Sequence, residues 1–257
     1  MFDDKIKIGI IGGSGLDDPE ILKDFQEVEM ETPYGKPSSV ITTGQIAGKD
    51  VAILARHGKD HSIMPTKVPY RANVWALKEL GCTHILATTA CGSLREDIKP
   101  RDFIFLDQFI DFTKHRNLTF YEDKVIHTPM AEPFCASLRK ILVETAKELK
   151  INHHGQGTMV TIEGPRFSTR AESKMFQKLG AEVVNMSTVP EVILARELGI
   201  CYATIAMSTD YDCWKTGEKP VTWEMIVEVM KHNSANAKKL LLAAIPKIDW
   251  SVCDCRK

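Results

Sequence analysis

The chain has 257 residues, of which 44% are hydrophobic and 26% are charged, a balance typical of a folded protein with a sizeable core. A formal net charge of −1 favours no polyanion-binding surface, so we expect no nucleic-acid partner. Residues 1–7 lack the basic and apolar regions of a secretory signal, and no apolar run is long enough to span a bilayer. We therefore expect a cytoplasmic protein with no membrane partner.

Strand-like apolar runs alternate with helix-like segments along the chain. In chain order the patterns predict strands at 6–11 and 51–54, a helix at 70–80, strands at 84–88 and 103–106, a helix at 133–149, a strand at 158–162, helices at 170–179 and 191–198, a strand at 200–207, and a last helix that Thr222 caps and that ends before Pro246. No internal repeat or flexible linker interrupts them. The alternation predicts one α/β domain over residues 1–257, with a short polar, cysteine-containing tail from about residue 247. Ligands of such folds bind beyond the carboxyl ends of the strands.

The seven cysteines are an odd number in a chain with no secretory signal, so they do not suggest a secreted disulfide framework. We expect most of them to be small buried apolar residues. Cys253 and Cys255 differ because they lie in the polar tail. Their spacing is not CxxC and no second ligand pair is near in sequence, so we predict no metal site. A tail thiol pair or a disulfide is the favoured interpretation, and no role at all fits the sequence equally well.

A glycine cluster follows the first predicted strand, at Gly12-Gly13-Ser14-Gly15. Glycine turns after strands let backbone N–H groups approach a phosphate, and the Ser14 hydroxyl adds a donor. No Gly-Lys-Ser/Thr follows, which excludes a Walker A loop, and the GxGxxG frame from Gly13 fails at Asp18, which argues against a dinucleotide site and an NAD oxidoreductase. A plain tight turn explains this cluster as well as an anion site does.

Two further strand ends carry groups suited to an oxyanion. Arg56 and His57 follow the second predicted strand, and Thr89 and Ala90 follow the third. Each pair alone is as compatible with an ordinary surface loop. Together with Ser14, they favour one free phosphate rather than a nucleoside triphosphate, because no lysine-based nucleotide loop accompanies them.

Asp210 and Asp212 follow the strand predicted at 200–207. If the backbone stays extended, both carboxylates point to the same side of it. A carboxyl group in a dry pocket has a raised pKa and can donate a proton. A solvated loop or a helix cap explains the two residues equally well.

The segments around residues 163–168 and 186–188 are ambiguous. Phe167 can stack on a flat ring or belong to the core, and Glu163 and Arg166 can form a structural ion pair. Ser187 or Thr188 can cap the helix that follows Met186.

Together these segments identify a family. The stretches GIIGGSGLDDPEIL, ARHGKDHSIMPTKVPYRANVWALKELGCTHI, TTACGSLRE, TMVTIEGPRFSTRAES, VVNMSTVPEV and ATIAMSTDYDCW resemble those of 5′-methylthioadenosine phosphorylases, in the trimeric purine nucleoside phosphorylase family. The resemblance runs from about residue 5 to residue 245. It implies a mixed, twisted sheet flanked by helices, and a homotrimer or a dimer of trimers.

The resemblance also implies the roles of individual residues. Phosphate is expected on Ser14, Arg56, His57, Thr89, Ala90 and Ser187, where relatives often carry threonine in place of the two serines. The nucleoside is expected on Phe167, Ser168, Met186, Asp210, Tyr211 and Asp212, with the ribose over Met186, Asp210 facing N7 and Asp212 facing the 6-amino group. The 5′ substituent is expected to meet His127 from a neighbouring subunit, Trp223 and Val227. Relatives usually carry a small aliphatic residue where Trp223 stands.

The implied reaction is the phosphorolysis of 5′-methylthioadenosine to adenine and 5-methylthioribose-1-phosphate, with Asp210 as the catalytic general acid. It needs no cofactor and no metal, since inorganic phosphate is a co-substrate. The alternative is a broader purine nucleoside phosphorylase acting on adenosine, inosine or methylthioinosine. Relatives that cleave 6-oxopurine nucleosides usually carry asparagine where Asp210 stands. From another class, an inactive nucleoside-binding protein is the rival, which a phosphate-dependent cleavage assay separates.

Overall fold

The buried apolar segments form the centre of one sheet. The computed structural model describes residues 5–12, 21–217, 222–249 and 255, in which eleven strands pair into this sheet. The strands are β1 Lys7–Gly12, β2 Lys23–Val28, β3 Ile41–Ile46, β4 Lys49–Ala55, β5 His84–Ser93, β6 Phe103–Phe105, β7 Gln108–Phe112, β8 His153–His154, β9 Thr158–Ile162, β10 Val183–Asn185 and β11 Cys201–Asp210. The helices are α1 Tyr70–Glu79, α2 Ala136–Glu148, α3 Arg170–Lys178, α4 Thr188–Glu197 and α5 Trp223–Ala244.

The strand order explains where a ligand can bind. Strands run in the order β2-β3-β4-β1-β5-β10-β9-β7, while β11 pairs with β5 on one side and β6 on the other. Because β4, β1, β5 and β11 are parallel, their carboxyl ends share one edge of the sheet. Strand β10 is antiparallel to β5 and pairs Val184 with Gly92, which brings the β10–α4 connection to the same edge. The predicted mixed sheet is confirmed.

Each face of the sheet carries its own core. On one face Ile85 and Ala87 pack against α1 and α4, and on the other Leu86 packs against α2 and α5. Alternating side chains of one strand therefore serve both cores, as expected for a sheet covered by helices on both sides. Within the described ranges, no helix is both long and apolar enough to cross a membrane.

Most predicted helices and strands are present, with shifted ends. The helix predicted at 133–149 begins at Ala136, with Cys135 as its N-cap, because the Cys135 Sγ accepts the Leu138 N–H at 3.5 Å. The strand predicted at 84–88 continues to Ser93, and the strand predicted at 200–207 continues to Asp210. Thr89, Ala90 and Asp210, which were predicted to follow these strands, are therefore part of the sheet, whereas Asp212 lies in the turn after β11. Thr222 caps α5 as predicted, accepting the Met225 N–H.

Candidate active site

A cavity of about 910 Å³ opens at the carboxyl edge of the parallel strands. Twelve of the predicted site residues line it: Arg56, His57, Thr89, Ala90, Phe167, Ser168, Met186, Ser187, Asp210, Asp212, Trp223 and Val227. Ser14 lies outside the described residues. Among the residues that the structure describes, the predicted site residues His127 and Tyr211 do not line the cavity. The fold thus brings together side chains from segments that are far apart in sequence.

The Arg56 side chain is buried and held from several directions. Its Nε and one terminal nitrogen donate to the two carboxylate oxygens of Glu191, both at 2.8 Å, and its other terminal nitrogen donates to the Thr88 carbonyl oxygen at 2.7 Å. Glu191 is completely buried on α4 and also accepts the Tyr202 hydroxyl proton at 2.7 Å. A guanidinium has five N–H groups, so two are left to face the cavity. Sequence reasoning missed Glu191, because nothing in its position on a helix singles it out.

His57 offers the cavity a hydrogen-bond acceptor rather than a second donor. Its Nδ1 lies 2.8 Å from the Ile63 carbonyl oxygen, which only accepts, so Nδ1 carries the proton. Burial, together with the charge of Arg56, lowers the pKa of His57 to about 4, so the ring is neutral near pH 7. Its Nε2 is then an acceptor, suited to the P–OH of a monohydrogen phosphate rather than to an ionised oxygen.

Hydroxyl groups and one amide form a network beside Arg56. Thr89 Oγ1 lies 2.9 Å from Ser187 Oγ, and Asn185 Nδ2 donates both to Thr89 Oγ1 and to Thr188 Oγ1. The Asn185 amide oxygen accepts the Thr161 hydroxyl proton at 2.9 Å. Ser187 stands at the N-cap position of α4 but makes no side-chain cap bond, so helix capping does not explain its hydroxyl. Asn185, which the sequence analysis did not single out, orients the predicted phosphate donors.

The two carboxyl groups lie side by side where β11 ends. Asp210 Oδ1 accepts the Asp212 backbone N–H at 2.7 Å, and its Oδ2 accepts the Thr209 hydroxyl at 2.6 Å. Asp212 has a φ of +50°, so the backbone turns here, and the condition of an extended segment, on which the same-side argument depended, is not met. Burial raises the pKa of both carboxyl groups. Gly92 permits their approach, because a Cβ at this position would lie 3.1 Å from Asp210 Oδ1.

A nonpolar surface with a few polar atoms occupies the middle of the cavity. Phe167 and Met186 line it, and the turn at Gly164 packs so closely on Met186 that a Cβ there would lie 2.5 Å from its sulfur. Asp212 Oδ2 and Ser168 Oγ are buried, and neither makes a hydrogen bond of good geometry with any described residue, although the Ser168 and Ser173 hydroxyls lie close enough to Asp212 to oppose the rise that burial causes in its pKa. Buried polar atoms without partners in a cavity wall mark the edge where a polar ligand group fits.

Aromatic rings build the outer wall. The His61 ring lies between His57 and Trp223, with centroid distances of 4.5 and 5.2 Å. Trp223 and Val227 belong to the first two turns of α5 and are 49% and 36% exposed. His61 was missed because a histidine in a loop has no periodicity. This wall is apolar and partly open to solvent.

Several other predictions from the loops need correction. Glu163 does not pair with Arg166: the buried Arg116 donates to Glu163, whereas Arg166 pairs with Glu172 on the surface. The Arg116–Glu163 pair fixes the segment that leads to the Gly164 turn. Tyr211 packs edge-on against Trp214, beneath the Lys215 ammonium group, and faces away from the cavity.

These groups divide the cavity chemically. One end offers guanidinium and hydroxyl donors suited to an oxyanion, and the other offers two carboxyl groups with raised pKa values. An apolar middle separates them. The arrangement suits a flat, polar-edged ring beside a small anion, which is what cleavage between a base and a sugar by an oxyanion requires.

Known proteins share this architecture over nearly the whole chain. A methylthioadenosine phosphorylase from Schistosoma mansoni, solved in complex with adenine, superposes with a TM-score of 0.92 at 47% identity, covering 96% of this chain and 94% of that one. A mutant of the adenosine/methylthioadenosine phosphorylase from the same organism, in complex with methylthioadenosine, has a TM-score of 0.91 at 46% identity, with the same coverage of both chains.

Sequence comparison leads to the same group. An S-methyl-5′-thioadenosine phosphorylase of Danio rerio is 58% identical over 254 residues, 95% of this chain and 91% of the relative. One of Xenopus tropicalis is 56% identical over 256 residues, 96% of this chain and 91% of the relative. The sequence model of the phosphorylase superfamily matches residues 7–246. The chain therefore belongs to the phosphorylase superfamily.

Proposed function

We propose that the chain catalyses the phosphorolysis of 5′-methylthioadenosine to adenine and 5-methylthioribose-1-phosphate, as a cytoplasmic enzyme with no cofactor besides its phosphate co-substrate. The observation that carries the proposal is that oxyanion donors and a buried pair of carboxyl groups line one cavity. The names of relatives 56% and 58% identical to this chain support the same substrate.

The phosphate end supplies the nucleophile. Arg56, Thr89 and Ser187 hold the anion, with the Ala90 backbone and, outside the described residues, Ser14. A phosphate oxygen attacks the anomeric carbon while the carbon–nitrogen bond to the purine breaks, and both bonds are partial in an oxocarbenium-like transition state. The negative phosphate stabilises the developing positive charge on the sugar electrostatically. Nε2 of neutral His57 accepts a hydrogen bond from a phosphate hydroxyl and so fixes the orientation of the anion.

The carboxyl end handles the leaving group. The departing purine receives the bonding electron pair and becomes neutral when N7 gains a proton. Burial raises the pKa of Asp210, which favours its protonated form, and in this proposal Asp210 delivers the proton as general acid. Asp212 Oδ2, which makes no hydrogen bond of good geometry with the described residues, accepts from the 6-amino group of adenine. Phe167, Ser168 and Met186 hold the ring and the ribose.

The 5′ end of the cavity is where we propose that a second subunit contributes. His127 is exposed, in a segment without helix or strand, next to Val125 and Ile126, which are 83% and 44% exposed. Two neighbouring apolar side chains this accessible are typical of an interface. A homotrimer or a dimer of trimers would bury them and bring His127 to the Trp223–Val227 wall of a neighbour.

A substrate panel tests the proposal. Methylthioadenosine, adenosine and inosine are incubated with and without phosphate, and free base and sugar phosphate are quantified. We expect phosphate-dependent release of adenine, with the highest kcat/KM for methylthioadenosine. Adenosine is the second candidate, since some solved relatives are named adenosine/methylthioadenosine phosphorylases. Inosine as the best substrate would refute the base assignment, and no turnover with any nucleoside would leave an inactive binding protein.

Light scattering tests the assembly. A mass of three or six chains is expected at assay concentration, and His127→Ala should raise the KM for methylthioadenosine without changing that mass. A fully active monomer contradicts the proposed assembly.

A further inference from the structure

Three cysteine sulfurs lie together on the side of the sheet remote from the cavity. The Sγ atoms of Cys135, Cys201 and Cys255 are all within 4.8 Å of one another. Cys135 is the N-cap of α2, Cys201 is the first residue of β11, and Cys255 comes from the tail. Cys255 has no second ligand pair close to it in the sequence. In the fold, Cys201 and Cys135, which lie 54 and 120 positions earlier in the chain, supply one.

Two of these sulfurs are fixed by the fold itself. Cys135 and Cys201 are 1% and 0% exposed in the core. The Cys135 backbone N–H donates to the Tyr202 carbonyl oxygen at 2.8 Å, which joins the start of α2 to the start of β11. Cys255 is half-buried and packs against the same core. Two rigid ligands and a third near the end of the chain form a preorganised site that can still close around an ion.

The Cys135 sulfur lies at the N-terminus of a helix. It accepts the Leu138 N–H at 3.5 Å, at the N-terminus of a helix of thirteen residues. Helix N-termini stabilise negative charge on a cysteine sulfur, and the thiolate is the form that binds metals. An all-sulfur ligand set selects soft metal ions over Mg²⁺ and Ca²⁺, which bind oxygen.

We propose that Cys135, Cys201 and Cys255 bind a zinc ion that fastens the tail to the start of α2 and β11. Zinc–sulfur bonds of about 2.3 Å in a tetrahedron place the sulfurs roughly 3.8 Å apart, so the cluster must contract by about 1 Å at most. Binding exchanges up to three thiol protons for one Zn²⁺. The half-buried position of Cys255 lets water take the fourth position. Three thiolates leave one net negative charge, which the α2 N-terminus stabilises.

The site is structural in this proposal. Cys201 starts the strand that ends at Asp210, so the ion and the nucleoside cavity lie at opposite ends of β11. Zinc should raise thermal stability without changing kcat/KM. This inference is therefore independent of the proposed phosphorolysis, and either can fail alone.

Cobalt substitution tests the site in the full-length protein. The metal-free protein is reduced with a phosphine and titrated with Co²⁺, and thiolate-to-cobalt charge-transfer absorption is followed. We expect one equivalent per chain, displaced by Zn²⁺, and a rise of the Tm on adding zinc. Cys255→Ser should weaken cobalt binding at least tenfold and abolish the zinc-dependent rise. Cys82→Ala, which removes a buried thiol outside the cluster, should change neither.

The same experiment can overturn the proposal. Absence of the charge-transfer band in the reduced wild type would do so, as would cobalt binding by Cys255→Ser as tight as that of the wild type. Peptide mapping of the unreduced protein adds an independent readout, since a disulfide joining two of the three sulfurs would mean that they pair with each other instead of binding metal.

Discussion

Glu191→Gln tests whether Glu191 stabilises the protein by neutralising the buried charge of Arg56 beside the proposed phosphate site. Wild-type Glu191 accepts two hydrogen bonds from Arg56 and one from the Tyr202 hydroxyl, all at 2.7–2.8 Å. Glutamine keeps the shape but offers one oxygen and one NH₂ group. The NH₂ group cannot accept a hydrogen bond, so it faces an N–H or O–H donor that the carboxylate oxygen had accepted from. The Arg56 charge is left buried without a counter-charge.

The expected loss is large because both partners are out of water. Arg56 and Glu191 are 2% and 0% exposed, and breaking a buried pair from one side costs about 3–5 kcal/mol. Glutamine retains one acceptor, so we expect about 3 kcal/mol less free energy of unfolding, or a Tm lower by roughly 6–12 °C for a chain of this size. Asp97→Asn is the matched control, because Asp97 binds Arg95 with the same two-bond geometry on the surface. That change should cost less than about 1 kcal/mol.

The assay is denaturant unfolding at one fixed protein concentration, with and without phosphate. Bound phosphate supplies a negative charge beside Arg56, so it should stabilise Glu191→Gln more than it stabilises the wild type. Equal losses for Glu191→Gln and Asp97→Asn would refute the buried-pair argument. If phosphate stabilises Glu191→Gln no more than it stabilises the wild type, then Arg56 does not contact the bound anion.

Three further changes probe the cavity. Asp210→Asn should lower kcat/KM for methylthioadenosine and raise the ratio of kcat/KM for inosine to that for methylthioadenosine at least about tenfold. The reason is that asparagine can donate to O6, and a buried acceptor mismatch costs about 1–3 kcal/mol. An unchanged ratio would mean that Asp210 does not contact the purine edge. Gly92→Ala should lower kcat/KM by about tenfold, because its Cβ would lie 3.1 Å from the Asp210 carboxyl oxygen and 3.3 Å from the Asp212 Cβ. Gly155→Ala is the control, since its Cβ meets Val143 at an ordinary 3.5 Å and activity should be retained; equal kinetics of the two variants would contradict this. The pKa of His57 is about 4 in the folded protein against an ordinary 6.5, so between these pH values the unfolded chain binds a proton that the native one does not. His57 should therefore lower the free energy of unfolding by about 1–3 kcal/mol from pH 7 to pH 4.5. Urea titrations at both pH values should show that His57→Gln removes this part of the pH dependence.

The central strands were predictable because burial on both faces leaves continuous apolar runs, as in β1, β5 and β11. The edge strand β2 was not, since five of its six residues are exposed and no alternation marks it. β8 has only two residues. The ends of β5 and β11 were placed too early because polar residues such as Thr89 and Asp210 resemble loop residues. Pairing with the neighbouring strand, which sequence periodicity does not report, keeps them extended.

The predicted site residues gather because motifs at strand ends meet at one edge of a parallel sheet. What the sequence could not indicate are residues that act through others. Glu191 and Asn185 lie on a helix and a short strand, and their importance follows only from long-range contacts with Arg56 and Thr89. The tautomer of His57 likewise depends on a carbonyl oxygen six residues away. The cysteine cluster joins three distant segments for the same reason.

The position of Asp210 at the end of β11 affects which changes in substrate specificity mutation can produce. Asp210 ends a ten-residue strand hydrogen-bonded between β5 and β6, so the base end of the cavity is rigid before any nucleoside arrives. Trp223 and Val227, on the first turns of α5, are 49% and 36% exposed and belong to no strand. Substitutions at those positions can change the accommodated 5′ group without disturbing the sheet, whereas altering the accepted base requires changing the strand itself. Laboratory evolution should therefore diversify the 5′ substituent in few steps and the purine only with loss of stability.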